Sequence, residues 1–325
     1  MNILRFSFMP LLKELIYPPI SPYEQGFLVV DDIHKIYWEV SGNPAGVPVI
    51  ILHGGPGGSS SPIGRQFFDP KHYKIIQFDQ RGCGKSTPLG ELRNNDTDHL
   101  ISDMELLREH LHIESWHVSG GSWGSTLALA YGIQHPKKCL SFLLRGIFMM
   151  RDCEIDWFMN GMGEIFPESY KKFKNLLPQE ERSDLLNNYY KRMTTGEYQD
   201  QIKYAVSWNA YESSCAYFTP KKSSFNTAEE KNSALTVGRM EAHYFIHNRF
   251  KPHDFILKNI ETIRHIPAIA IQGRYDIVCP MRTAYDLSCA WPELNLMIVN
   301  AAGHSAGEFE LGKTLLEASN TLKSL

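Results

Sequence analysis

The chain has 325 residues, 43% of them hydrophobic and 12% aromatic, enough to bury a large core and to exclude an intrinsically disordered protein. Its 33 basic and 36 acidic residues give a formal charge of -3, and the basic ones form only scattered pairs such as Lys137-Lys138 and Lys221-Lys222, which excludes the footprint of a nucleic-acid binder. Six cysteines without a Cys-x-x-Cys pair argue against a disulfide framework and for a reducing, cytoplasmic setting.

From the N-terminus, MNILRFSFMPLLKELIYPP is mildly apolar, but Arg5, Pro10, Lys13 and Glu14 interrupt it and no small-residue cleavage site follows. It is expected to be a short leader packed on the domain or fraying from it. GFLVV, an Asp31-Asp32 turn and IHKIYWEV predict a hairpin, and VPVIILHG, YKIIQFD, SWHVSG and LSFLLRG predict buried strands. In HLISDMELLREHL, Leu100, Met104, Leu107 and Leu111 recur at helical spacing, with Asp96 and Thr97 upstream as caps. From about residue 148 to 260 the pattern changes to aromatic-rich helical runs without a clear strand. IPAIAIQG and LNLMIVN then restore the strand pattern, with a helical segment around TAYDLSCAW between them. The predicted fold is α/β, a mostly parallel sheet with helices on both faces. Residues 1–147 and 261–325 form the two parts of its core, and 148–260 form a helical cap over the C-terminal edge of the sheet, where open α/β folds place their ligands. No stretch reaches the ~18 uninterrupted apolar residues of a membrane helix, so a soluble protein is expected.

RGCGKST, residues 81–87, imitates the end of a phosphate-binding loop, but the glycine required five residues before Gly84 is Asp79. A Gly-x-Gly-x-x-Gly reading from Gly82 fails at Thr87. HGGPGG, residues 53–58, follows a strand directly and can turn backbone N–H groups toward a developing negative charge; by itself it is equally a tight turn. Gly120-Gly121-Ser122-Trp123-Gly124 satisfies Gly-x-Ser-x-Gly between a strand and a helix, the context of a nucleophile elbow. A triad on this fold needs an acid and then a histidine later in the chain. Asp276 follows one predicted strand and His304 the next, although aspartate also caps turns and histidine also fills loops. Together they form a serine triad in which His304 accepts the Ser122 proton and Asp276 fixes the imidazole tautomer. The N–H groups of Gly55 and Trp123 are the expected oxyanion donors. His243 and His247 have the i, i+4 spacing of a zinc pair, but the His-Glu-x-x-His form and a third ligand are missing, so no metal is expected. No cofactor is needed.

HGGPGG, FDQRGCGKSTP, GGSWGSTLALAYG, LLRGIF, GRYDIVCP and GHSAGE, in this order and at these intervals, resemble the proline iminopeptidases of the α/β-hydrolase superfamily. The similarity covers nearly the whole chain after the leader. It implies an α/β-hydrolase fold, release of N-terminal proline from peptide substrates with a free amino end, and a triad at Ser122, Asp276 and His304. It also implies that two glutamates of the cap hold the amino end of the proline, matching Glu212 in AVSWNAYESS and Glu241 in VGRMEAHYF. Trp208 lies four residues before Glu212 and Phe245 four after Glu241, so on helices each carboxylate shares a face with a ring. The plain alternative is an intramolecular pair with Arg239 or Arg249. Phe148, in LLRGIF, and Phe158, in IDWFMNG, are expected at the pocket wall, Phe158 standing where the family pattern has a tyrosine. Cys83 and Lys85 replace the more usual serine and arginine. An esterase or amidase of the same fold would keep the triad without needing the paired carboxylates, and a non-catalytic binder on this scaffold would need neither.

Overall fold

The computed structural model describes residues 11–221, 223–247 and 253–324. Eight strands run in chain order as β1 Glu24–Val29, β2 Lys35–Gly42, β3 Val47–Leu52, β4 Tyr73–Phe78, β5 Trp116–Ser122, β6 Cys139–Ile147, β7 Ala268–Gly273 and β8 Asn295–Val299. They form one sheet in the order β1-β2-β4-β3-β5-β6-β7-β8. β1-β2 is the predicted hairpin. β2 is antiparallel to both its neighbours, and every pair from β4 to β8 is parallel.

The central strands are mostly apolar because both faces of the sheet are covered there. Successive side chains point to opposite faces. Val49, Leu143, Ile269 and Ile271 therefore pack with Leu311 and Leu315 of the helix Phe309–Thr321 on one side. Ile50, Leu52, Leu144 and Ala270 pack on the other side with Leu107 of the helix Thr97–His110 and Leu127 of the helix Trp123–Gln134. The Thr97–His110 helix starts where its sequence signals put it, with Asp96 as N-cap accepting the His99 N–H at 2.9 Å. Part of the predicted leader lies within the described residues, where Leu12–Leu15 forms a single helical turn beside the helix Phe309–Thr321. Residues 1–10 lie outside them.

Between β6 and β7 the described chain forms the helices Asp152–Met159, Pro167–Leu176, Leu185–Thr194, Tyr198–Cys215, Ala228–His247 and Phe255–Asn259, with no strand among the described residues. Aromatic rings knit this region together. Phe173 stacks on Tyr189 at 4.2 Å and on Tyr211 at 4.7 Å, and Trp208 meets Phe158 at 5.2 Å. It is fastened to the rest of the chain by Tyr244, whose ring packs on Trp123 at 4.8 Å and whose hydroxyl donates to Asn95 Oδ1 at 2.7 Å. Trp157 Nε1 donates to Ile277 O at 2.7 Å at another point of the same contact.

Candidate active site

β5 ends at Ser122 and a helix begins at the next residue, so the chain reverses within a single residue. Ser122 has φ +57° and ψ -128°, a backbone conformation that a non-glycine residue reaches only where its surroundings impose it. Close approach of strand and helix is what imposes it. A Cβ on Gly120 would lie 2.2 Å from Gly124 O, and one on Gly124 would lie 2.4 Å from Leu52 O. Any side chain at either glycine would push the elbow open. The result is a partly exposed serine at the C-terminal edge of the parallel strands.

Asp276 follows β7 and His304 follows β8, and tertiary structure brings them together, with His304 Nδ1 2.7 Å from Asp276 Oδ2. The Asp276 carboxylate is wholly buried and also accepts from Cys279 N at 2.8 Å and Gln272 Nε2 at 3.1 Å. Gln272 is itself fixed, accepting from Ile147 N at 2.9 Å and donating to Cys279 O at 2.8 Å. Since Nδ1 is engaged by the carboxylate, Nε2 is the nitrogen of His304 left to act as acceptor. One sequence expectation is not met in this structure. Among the described residues the Ser122 hydroxyl makes no hydrogen bond to His304, and lies instead 4.0 Å from the Cys279 thiol. Catalytic contacts of this kind commonly tighten only in the substrate complex.

The HGGPGG loop is locked from below. Burial lowers the pKa of His53, keeping it neutral, and its Nε2 accepts from Gln80 N at 2.9 Å. Gln80 returns Nε2 to His53 O at 2.9 Å and accepts from the Trp123 indole at 2.8 Å, so the loop and the elbow share one network. Gly55 sits at φ +112°, and no described backbone hydrogen bond uses its N–H. The RGCGKST loop is structural. Arg81 forms paired bonds to Asp103 at 2.6 and 2.7 Å and another to Asp31 at 2.6 Å, and a Cβ at Gly84 would come 2.3 Å from the Asp79 carboxylate. That leaves no cradle for a phosphate.

Above Ser122 lies a small cavity, about 20 Å³, lined by Gly55, Phe148, Phe158, Glu212, Glu241 and Phe245 among others. Glu212 and Glu241 come from different helices and their carboxyl groups lie against each other. Trp208 Nε1 donates to Glu241 Oε2 at 2.5 Å, so the indole serves the carboxyl of the other helix. Burial, then the charge of Glu212, holds the Glu241 carboxyl well above the ordinary glutamate range, and burial raises Glu212 too. Two carboxyls in contact can share a proton but resist being ionised together. No lysine or arginine among the described residues pairs with either. Arg239 is engaged elsewhere, donating to Met193 O at 2.7 Å and to Gln201 Oε1, and Arg249 lies outside the described residues. Sequence reasoning passed over Glu154 and Val278, which line the same cavity. His243 Nε2 donates to Asn95 O at 3.0 Å, and no cluster of three or more metal-ligating side chains occurs among the described residues.

A family described by the alpha/beta hydrolase fold matches residues 47–311. Near-full-length relatives narrow it. A proline iminopeptidase of Arabidopsis thaliana is 48% identical over 96% of this chain and 83% of its own length, and one of Xanthomonas citri is 41% identical over 94% and 98%. The chain belongs to the proline iminopeptidase family. The crystal structure of a proline iminopeptidase from Mycobacterium smegmatis has the same fold, with TM-score 0.59 at 18% identity over 93% of this chain and 98% of that one.

Three positions where this family member departs from the expected pattern can now be placed. Phe158 packs among Trp208, Phe245 and Tyr211 at 5.2, 5.6 and 6.1 Å. It therefore presents only carbon to the cavity where a tyrosine would offer a hydroxyl. Cys83 is buried with its thiol on Arg81 O, and the Lys85 ammonium lies 4.2 Å over the Tyr37 ring. Both lie outside the cavity lining.

Proposed function

We propose that this member of the family is a serine aminopeptidase that removes an N-terminal proline from peptides through an acyl-enzyme. The observation that carries the reading is the contact pair Glu212 and Glu241 in the same small cavity as Ser122. Buried carboxylates call for a cation. The secondary ammonium of an N-terminal proline is one, and its apolar ring suits the wall of Phe148, Phe158 and Phe245. The names of the near-full-length relatives support the same substrate.

With the amine held by the glutamates, the proline carbonyl lies over Ser122. His304 Nε2 takes the hydroxyl proton as Oγ attacks, while Asp276 holds Nδ1–H and the tautomer. The Trp123 N–H, first in its helix and without an intrahelical acceptor, and the Gly55 N–H receive the oxyanion. Collapse breaks the C–N bond, and His304 passes its proton to the leaving nitrogen. Water, deprotonated by His304, then cleaves the acyl ester, releasing proline and restoring Ser122. No cofactor enters these steps. In this reading residues 148–260 are the cap that selects the amine, 1–147 and 261–325 are the hydrolase core, and the enzyme works in the cytoplasm, a setting that its six free thiols suit.

The test compares kcat/KM on a prolyl arylamide, its N-acetyl derivative and a small uncharged ester. Rapid cleavage of the free-amine compound alone among the two amides supports the aminopeptidase. Equal rates on both amides would make it an esterase or amidase, and no turnover of any of the three would make it a binder on a hydrolase scaffold.

A further inference from the structure

His304 is suspended between the helical region and the elbow. Its backbone N–H donates to Ala216 O at 2.9 Å, and the N–H of Ser305 donates to the same carbonyl at 3.0 Å. Ala216 is the C-cap of the helix Tyr198–Cys215, which carries Glu212. On the other side the His304 carbonyl accepts from Arg145 Nη1 at 2.5 Å. That guanidinium lies flat on Gly121, where a Cβ would come 2.4 Å from Nη2, so it rests against the residue before Ser122.

One side chain closes this arrangement. Glu308 accepts the Gly303 N–H at 2.8 Å with Oε1 and the Phe218 N–H at 3.0 Å with Oε2. A single carboxylate thus ties the residue before His304 to the segment that leaves the Glu212 helix. The two backbones touch, since a Cβ on Gly303 would lie 2.7 Å from Phe218 N. The Phe218 ring lies 5.3 Å from the ring of Tyr275, the neighbour of Asp276. Glu308 is also the N-cap residue of the helix Phe309–Thr321, yet its side chain accepts no N–H from that helix. Its hydrogen-bonding capacity goes to the clasp.

We propose that Glu308 is a positioning residue of the reaction: by clasping Gly303 to Phe218 it sets His304 from the side of the Glu212 helix and couples amine recognition to the base. The coupling rests on the aminopeptidase reading above. Both ends of the clasp are backbone groups, so the carboxylate fixes where the loop 303–308 runs. Without it that loop keeps the Ala216, Arg145 and Asp276 contacts of His304 but loses its tie from Gly303 to Phe218, and a catalytic group displaced by ~1 Å costs on the order of 10²-fold in rate.

The experiment measures kcat, KM and the melting midpoint for Glu308→Ala and Glu308→Gln on a prolyl arylamide. Glu308→Ala should lose on the order of 10²-fold, mostly in kcat, by the same sensitivity to placement. Glu308→Gln should lose less, because its one carbonyl oxygen still accepts while its NH2 group confronts the second donor. Where Glu308→Ala does not fold, Glu308→Gln decides. In a double-mutant cycle the loss caused by Glu212→Gln should shrink at least ~3-fold in the Glu308→Ala background, since residues that act through one another are non-additive. A lowered melt with wild-type kcat in the folded variant, or losses that simply multiply, overturns the proposal. Should the wild type ignore the prolyl arylamide and cleave only the ester, the aminopeptidase reading and the coupling to amine recognition fail. The positioning role is then judged on the ester, where an unchanged kcat for Glu308→Ala overturns it and a lowered one supports it.

Discussion

Asp276 and Glu241 are both buried carboxyls, and their two regions treat them differently. At the sheet edge Asp276 accepts from His304, from Cys279 and from Gln272, the last held on β7. Under the helices Glu241 has the Trp208 indole and a second carboxyl, Glu212, for company. The first arrangement is complete as it stands. The second gathers negative potential in an apolar wall and favours a positively charged ligand. On the proposed function this contrast is a division of labour, in which the sheet edge carries chemistry common to many hydrolases and the helical region chooses what is brought to it.

The division is broken most directly at the edge. Ser122→Ala should lower kcat by roughly 10⁶-fold on every substrate, amine-bearing or not, because triad members act as a unit. Asp276→Asn keeps the shape and loses the tautomer, and should cost roughly 10⁴-fold. A folded Ser122→Ala enzyme retaining a tenth of wild-type activity would show that another group is the nucleophile. In the helical region the losses should be smaller and selective. Truncating one partner of a desolvated charge pair costs ~2–5 kcal/mol, so Glu212→Ala and Glu241→Ala should each reduce kcat/KM on a prolyl arylamide by roughly 30-fold or more while sparing a small ester much better. Equal losses on both substrates would erase the distinction between the regions.

Stability sharpens the comparison further. The folded state holds the Glu241 proton more tightly than the unfolded chain does, so the stability from this group is fully present below the ordinary glutamate pKa and is lost as pH rises through the raised folded value. Glu241→Gln keeps an acceptor for Trp208 and cannot ionise. It should melt at least ~2 °C above wild type at pH 8, with the gap closing as the pH falls toward the ordinary carboxyl range. A gap that is constant with pH would mean that the pair carries no such penalty. The smallest effect is expected at Cys279, whose thiol is pushed up in pKa by burial and lies 4.0 Å from Ser122 Oγ. Its backbone N–H, not its sulfur, serves Asp276. Cys279→Ser should stay within a few-fold of wild-type activity, roughly the range of a conservative change that leaves the hydrogen-bonded groups in place, and should escape inhibition by a bulky mercurial. Undiminished inhibition would point to another cysteine.

Much of the fold and part of the site could be read from the sequence because they depend on short-range rules. The strands announced themselves through apolar runs bounded by turn residues, and Asp96 marked its helix start as a cap does. The elbow was legible because only glycine fits where β5 and the following helix nearly touch. Even the order of serine, acid and histidine is a property of the chain alone. The same rules do not say which glutamate a ring's polar atom serves. Helical spacing puts Trp208 on the face of Glu212, whereas its indole bonds Glu241, 33 positions away on the neighbouring helix. That outcome depends on how two helices cross, which i, i+4 spacing does not encode.

What the sequence by itself determined is therefore the alternation of strands and helices, the glycine-framed turn at Ser122 and the chain order of Ser122, Asp276 and His304. Each of these follows from local sterics and from side-chain periodicity. Only the tertiary structure decided that Glu212 and Glu241 touch, that Gln272 and the Cys279 N–H hold the acid, and that Ala216 and Glu308 hold the histidine loop. Those contacts join segments far apart in the chain, and a displacement of an ångström or two between packed elements, which no local pattern records, is enough to make or break a hydrogen bond.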